Sequence, residues 1–408
     1  MPDWESLYAS RMAGVVASDI RERMKLLDAR QIIHLGGGLP DPDIFPYVAL
    51  RQASDRIWGD RTLARTALQY APSEGHAPLR QWIAEQTAAD AGVACGIDNV
   101  VITNGSQQGL DFIAKLLLSP GDKAMVEIPS FIGALRAFDA YEPRYLGLPE
   151  DSAEWDASAL AGAKFCYVGP DFRNPTGTTM SLADREKLLD LADATGMIIV
   201  EDGCYEQLRY EGEPIPSLLT LAMCRYGDIE KVPVLHTGTF SKTVAPSLRI
   251  GWITGPRDAI RKLVLIKQAS DLATSALNQM LLLDVIRTSL DTAIETGCSV
   301  YRERLHAMLA ALDQHMPDGV SWTRPEGGLY VWASLPEGVD AGRFAERALM
   351  EHKVSIISGA AFYPARAENV RPATNRFRLS FSMIPSEAAT EGVRRLGLLA
   401  GEMVAMLV

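Results

Sequence analysis

Residues 237–252 read TGTFSKTVAPSLRIGW. Lys242 lies among the hydroxyl residues Thr239, Ser241 and Thr243, and Arg249 follows seven positions later. A β-branched run, Val232-Pro-Val-Leu235, precedes the segment, and a second strand-like run covers 249–254. This order puts an amine at the end of a buried strand with hydroxyl and guanidinium donors beside it. Such a group suits an aldehyde cofactor that carries a phosphate: the amine condenses with the aldehyde and the donors hold the dianion.

Working outward, short apolar runs alternate with helical patterns from about residue 80 to 275. Val100-Val-Ile102, 123–128, 164–168 and 197–201 read as strands, and 107–118 as a helix. Ser181-Leu-Ala-Asp184 is a capping signal for a helix that Gly196 ends. This alternation predicts an α/β domain with a mostly parallel sheet. A long helix is expected from about 299 to 315, followed by strand-like pieces at 328–332, 354–357 and 377–382. These predict a smaller α+β domain to which the N-terminus contributes. The expected division is a large domain over 51–290 and a small one over 1–50 with 291–408.

Composition narrows the function classes. The chain has 408 residues, 47% of them hydrophobic, enough for a two-domain core. A formal net charge of -11 argues against electrostatic nucleic-acid binding. No apolar run approaches the ~18 residues of a membrane span. The polar start, MPDWESLYASRMAG, is unlike a signal peptide. Five scattered cysteines, an odd number, read as free thiols in a reducing cytoplasm. The six histidines are dispersed without metal-ligand spacing, so no metal is expected.

Four segments near predicted strand ends carry chemistry. In VVITNGSQQGL (100–110), Gly105 allows a tight turn and Ser106-Gln107 open a helix whose first N–H groups bind phosphate well. The same residues also read as an ordinary N-cap. Asp171-Phe-Arg-Asn-Pro-Thr-Gly177 is a turn that offers the Asn174 amide to a phenolate or carboxylate. Asp202 ends an apolar strand, where a carboxylate is costly unless paired; a protonated pyridine nitrogen is a fitting partner, and a capping role is the alternative. Tyr205, three residues on, is placed to donate to the ring oxygen. Arg378 lies on an alternating strand and suits a substrate carboxylate, with Arg376 a competing candidate on the same face. Open α/β sheets bind ligands at the carboxyl ends of their strands, so the shared position of these segments is informative.

Taken together, the chain resembles the fold-type-I, pyridoxal-phosphate-dependent class I/II aminotransferases over nearly its whole length. Within that group it is most similar to the 2-aminoadipate, kynurenine and aromatic aminotransferase branch. Gly36-Gly-Gly-Leu-Pro40 with Phe45-Pro46, Leu68-Gln-Tyr70 with Gly75, Asn174-Pro-Thr-Gly177, Gly327-Gly328 and Ser358-Gly359 carry the resemblance. It implies that Lys242 forms the Schiff base with pyridoxal 5'-phosphate and then shuttles the proton, and that Asp202 pairs with the pyridine nitrogen. Asn174 and Tyr205 would meet the ring hydroxyl. Gly105, Ser106, Gln107, Thr239, Ser241 and Arg249 would surround the phosphate, with Tyr70 reaching the phosphate of a neighbouring subunit in a homodimer. Arg378 would bind the substrate α-carboxylate, the backbone near Gly38 would close over it, and Arg21 would reach a distal carboxylate. Phe131 stands at the ring-stacking position, often Tyr in the family, and Arg173 replaces the usual Gln before the Asn-turn; the latter is either a surface change or a change in contacts near the cofactor. The implied reaction is transfer of an amino group from an L-amino acid with a 2-aminoadipate, aromatic or other bulky side chain to a 2-oxo acid, 2-oxoglutarate being the expected acceptor. A β-lyase, decarboxylase, racemase or amino-acid oxidase shares the same first carbanion and is the alternative. A regulator built on such a domain would need a DNA-binding helical segment, for which the early start of the resemblance leaves no expected room.

Overall fold

A computed structural model describes residues 2–14, 32–158, 160–365 and 367–406. Ile33–His34 (β1) is the first strand; the main sheet follows with Val100–Thr103 (β2), Lys123–Glu127 (β3), Arg144–Leu148 (β4), Ala163–Val168 (β5), Ile198–Asp202 (β6), Val234–Thr239 (β7) and Gly251–Thr254 (β8). Their order across the sheet is β2-β8-β7-β6-β5-β3-β4. Strands β4, β3, β5, β6 and β7 run parallel, whereas β8 is antiparallel to both β7 and β2. The two antiparallel steps cancel, so the carboxyl ends of β2, β5, β6 and β7 all open at one edge. Thr103 and Thr239 both pair with Gly251, which levels the ends of β2 and β7.

The near-continuous apolar runs follow from helices on both faces, which bury these strands along almost their whole length. The helix Leu182–Thr195 is capped as expected: Ser181 Oγ accepts from the Asp184 N–H at 3.1 Å, and Gly196 ends it at φ 71°. The helix expected from about 299 begins much earlier. It runs from Ala276 to His315, 40 residues and about 60 Å at 1.5 Å per residue. Leu282, Val285 and Ile286 pack with β2 and its neighbours, while Tyr301, Leu305 and Met308 pack in a separate core with Leu379 and Phe344. One helix therefore joins two cores, and no break marks residue 290.

The second core lies against a four-stranded antiparallel sheet. Its strands are Ser321–Trp322 (β9), Tyr330–Ser334 (β10), Ile357–Ser358 (β12) and Arg376–Ser380 (β13), in the order β12-β13-β10-β9. Val354–Ser355 (β11) pairs in parallel with β1. The single strand expected over 354–357 is thus two short ones in different sheets, divided at buried Ile356. The Ser380 N–H donates to Leu35 O at 2.7 Å, tying the N-terminal segment to β13. All five cysteines are free. Among the described residues no helix is long and apolar enough to cross a membrane.

Candidate active site

Lys242 follows β7 by three residues. Thr239 Oγ1 accepts from the Ser241 N–H at 3.1 Å and lies 2.9 Å from Ser241 Oγ, folding the chain so that the lysine turns back over the sheet edge. Its Nζ donates to Gly38 O at 3.3 Å and stands 5.7 Å from the centre of the Tyr205 ring. Among the described residues, the half-buried amine has one long hydrogen bond, to a carbonyl.

Asp202 closes β6 and is 7% exposed. Tyr167, on β5, donates its hydroxyl to Asp202 Oδ2 at 2.8 Å. Burial, then the neighbouring Asp202 charge, pushes the Tyr167 phenol well above its ordinary range, so it remains a donor. Among the described residues, Oδ1 of Asp202 is buried without a hydrogen-bond partner. An unpaired buried carboxylate oxygen costs about 1–3 kcal/mol or more. A cationic N–H, such as a pyridinium, removes that cost, and so the residues present fit pyridoxal phosphate. Beneath Asp202, His236 on β7 lies 3.1 Å from Glu201 Oε2. Burial works to lower its pKa, but the Glu206 and Glu201 carboxylates outweigh this and raise it to about 9. Glu201 also accepts the Leu218 and Leu219 N–H groups at 2.6 and 2.9 Å, pinning a helix start to β6.

The turn after β2 forms a polar cup. Gly105 has φ 76°, a left-handed conformation that favours glycine, and the Arg249 guanidinium occupies the space where a Cβ would stand. Ser106 is the first residue of a 12-residue helix, with Gly105 rather than Ser106 as the cap. Ser106 Oγ accepts from the Cys204 thiol at 3.1 Å, which ties this turn to the loop after Asp202. Arg249 departs from expectation: it precedes β8 instead of lying in it. It takes a left-handed conformation, φ 54°, at the end of the turn Pro246–Leu248, and this bend carries its Nη2 to Asn104 O at 3.2 Å. Behind the cup, buried Lys267 donates to Gln108 Oε1 at 3.1 Å and to Asp271 at 2.9 Å. Gln107 is exposed and donates to Gly133 O at 2.7 Å, beside half-buried Phe131 at the head of the helix Ile132–Asp139.

Opposite this edge, Arg378 reaches across from β13. Its Nη1 donates to Asn174 Oδ1 at 2.6 Å and its Nη2 to Gly36 O at 2.8 Å. A guanidinium only donates, so it holds the Asn174 oxygen toward itself and leaves the amide nitrogen to donate elsewhere. The guanidinium carbon sits 4.1 Å from the Tyr330 ring centre and 5.1 Å from that of Phe362. Among the described residues, Nε of Arg378 is buried without a partner. Arg376 faces the same way but lies two residues, about 7 Å, further back along the strand; it is half-buried, and Arg378 is the residue joined to Asn174.

The structure therefore brings together Lys242, Asp202, Tyr205, Asn174, Gly38 and Arg378 with the 105–106 turn, Thr239, Ser241 and Arg249. Tyr70 is 81% exposed and is not among the residues gathered here. Arg21 lies outside the described residues. Arg173 is turned inward: its Nε lies 3.8 Å from Glu127, whose carboxyl is pushed up to about 7 by burial despite the Arg173 charge. Sequence reading missed Tyr167, His236, Cys204 and Tyr330. Tyr330 follows the quoted Gly327-Gly328 closely; Tyr167 and His236 look like ordinary strand residues until the register is known.

Comparison with known proteins agrees with this arrangement. The family profile "Aminotransferase class I and II" matches residues 30–396. Aromatic-amino-acid aminotransferase 1 of Thermococcus litoralis is 37% identical over 97% of this chain and 94% of its own length. The 2-aminoadipate transaminase of Thermus thermophilus is 36% identical, covering 97% and 96%. Among solved structures, the Thermus thermophilus alpha-aminoadipate aminotransferase complexed with N-(5'-phosphopyridoxyl)-L-leucine superposes with a TM-score of 0.88 at 36% identity, covering 99% of this chain and 100% of that one. The Pyrococcus horikoshii kynurenine aminotransferase gives a TM-score of 0.89 at 36% identity over 98% of each chain. With matches of this extent on a parallel sheet whose strand ends hold a lysine, an aspartate and a glycine-serine turn, the chain belongs to the class I and II aminotransferases and is a fold-type-I transaminase that works with pyridoxal 5'-phosphate.

Proposed function

We propose that this transaminase takes its amino group from L-amino acids with long or bulky side chains, 2-aminoadipate and aromatic residues foremost, and passes it to 2-oxoglutarate. The single observation that carries the division of labour is the unpartnered Oδ1 of buried Asp202, on the sheet edge where the Lys242 amine and the Arg378 guanidinium also gather. The side-chain preference is supported by the relatives named for 2-aminoadipate, kynurenine and aromatic amino acids. When bound, pyridoxal phosphate supplies an aldehyde for the amine and a conjugated ring that accepts the electrons left when the Cα proton departs. Asp202 would hold the ring nitrogen protonated, Asn174 and Tyr205 would donate to the ring oxygen, and Phe131 would pack against the ring. Ser106, Gln107, Thr239, Ser241 and Arg249 hold the phosphate. Arg378 would grip the substrate carboxylate, and its two aromatic neighbours hold the planar guanidinium in place and shield it from water. Lys242 would be the base that holds and moves the substrate Cα proton. Gly38, whose carbonyl meets the Lys242 amine, lines the substrate side.

A panel of amino donors with 2-oxoglutarate and pyruvate tests this reading. The expected result is turnover of 2-aminoadipate and aromatic L-amino acids with 2-oxoglutarate, and conversion of the holoenzyme to its pyridoxamine form when donor alone is added. Elimination or decarboxylation products without that conversion would reject transamination by this site.

We further propose a homodimer with shared sites. Tyr47, Val48, Trp58, Leu68 and Tyr70 leave large apolar surface exposed along one stretch of chain. Exposed apolar side chains of this size support an interface, and a two-fold axis would close it on itself. Sedimentation equilibrium should give twice the 44.5 kDa chain mass. A concentration-independent single-chain mass would refute the dimer and the role of Tyr70 at a neighbour's phosphate.

A further inference from the structure

Tyr330 joins the two halves of the site. It is 3% exposed, on β10, and three contacts converge on it. Its hydroxyl lies 3.2 Å from that of Tyr205, with the rings edge to face at 5.8 Å. Its ring face carries the Arg378 guanidinium at 4.1 Å. The backbone at Gly38 packs directly on its hydroxyl, so closely that a Cβ there would overlap it.

We infer that Tyr330 is a positioning residue with two separable roles: its hydroxyl orients the Tyr205 proton toward the cofactor ring oxygen, and its ring holds the Arg378 carboxylate receptor in place. This rests on the proposed role of Tyr205 as a donor to that oxygen. Tyr205 has one proton. Burial and the adjacent Tyr330 push its ionisation well above the ordinary range, so the proton stays. If Tyr205 spends that proton on Tyr330, nothing is left for the ring oxygen. If Tyr330 is the donor in the 3.2 Å contact, the Tyr205 oxygen is satisfied as an acceptor and its proton is free to point away. The second arrangement alone meets both demands. Neither role involves a change in Tyr330 itself, so each is removed by a different substitution.

The readouts are the pH titration of the visible absorbance of the Lys242-bound cofactor and the Kd of 3-phenylpropionate, a carboxylate with no amino group. Donation to the ring oxygen favours its deprotonated form, so weakening the donor raises the titration midpoint. Tyr205→Phe is expected to raise it by about 1 pH unit and Tyr330→Phe by about 0.7, the worth of one hydrogen bond. In the Tyr205→Phe background, Tyr330→Phe should add nothing. Tyr330→Phe keeps the ring and should leave 3-phenylpropionate binding unchanged, whereas Tyr330→Leu should weaken it roughly 5- to 30-fold. An unmoved midpoint in Tyr330→Phe, or an equal shift with and without the Tyr205 hydroxyl, overturns the orienting role. Unchanged binding in Tyr330→Leu overturns the clamping role. If Tyr205→Phe itself moves nothing, the assignment of Tyr205 fails first, and the inference falls with it.

Discussion

Lys242→Ala is expected to abolish turnover, lowering kcat by at least about 10⁴-fold, and to remove the visible absorbance of the covalently held cofactor. Two functions are lost at once. On the proposed reading the amine would tether the aldehyde and would also be the base for the proton that must move. Among the described residues no second amine stands ready to replace it: buried Lys267 is engaged with Gln108 and Asp271 behind the 105–106 turn. The fold should be little affected. Lys242 is half-buried and its hydrogen bond, to Gly38 O, is 3.3 Å long. Thermal unfolding of the cofactor-free variant should therefore match that of the cofactor-free native chain. A purified variant that kept both the absorbance and the turnover would remove Lys242 from the mechanism and the proposed site with it.

The loops that build this site were legible because their chemistry is local. A glycine before a helix, an asparagine before a proline and an aspartate after an apolar strand are recognisable within a few residues. Their shared location was also legible, because parallel strands present their carboxyl ends together. What escaped was set by register. Tyr167 reaches Asp202 because β5 and β6 pair with Tyr167 opposite Val200, two residues short of the carboxylate. His236 meets Glu201 because those residues pair directly across β6 and β7. Neither pairing is written in either strand alone. Arg249 reads as the start of the strand-like run 249–254, but a left-handed turn is needed to bring its guanidinium to Asn104. The long helix was shortened in the same way. Buried residues up to Leu290 pack with the main sheet and those from Cys298 onward pack in the second core, so one helix serves two cores that a local pattern does not join. Arg173 looked like a surface substitution or a cofactor neighbour; pairing with buried Glu127 depends on a strand 46 positions earlier, counted along the sequence.

Asp202→Asn separates the charge from the shape, and it should cost roughly a thousand-fold in kcat/KM. The amide can still accept from Tyr167, so packing at the end of β6 is kept. It cannot hold a neighbouring ring nitrogen in its protonated form, and the ring then draws electrons from the departing Cα–H bond far less strongly. Stability gives a second and opposite readout. In the cofactor-free native chain, Oδ1 is a buried carboxylate oxygen without a partner. A neutral amide at the same place is cheaper to bury, so cofactor-free Asp202→Asn should melt no lower than the native chain. Cofactor binding repays the cost in the native chain only, so the rise in Tm on adding pyridoxal phosphate should be larger there than in the variant. Tyr167→Phe is the control for the other oxygen. It keeps the charge but strips a hydrogen bond to a charged group, worth about 1.5–3 kcal/mol, and should lower the stability of the cofactor-free protein while leaving the cofactor's own increment in Tm in place. If instead Asp202→Asn keeps the full increment and near-native kcat/KM, the open oxygen of Asp202 is not the cofactor's partner, and the ring nitrogen must be sought elsewhere along this edge.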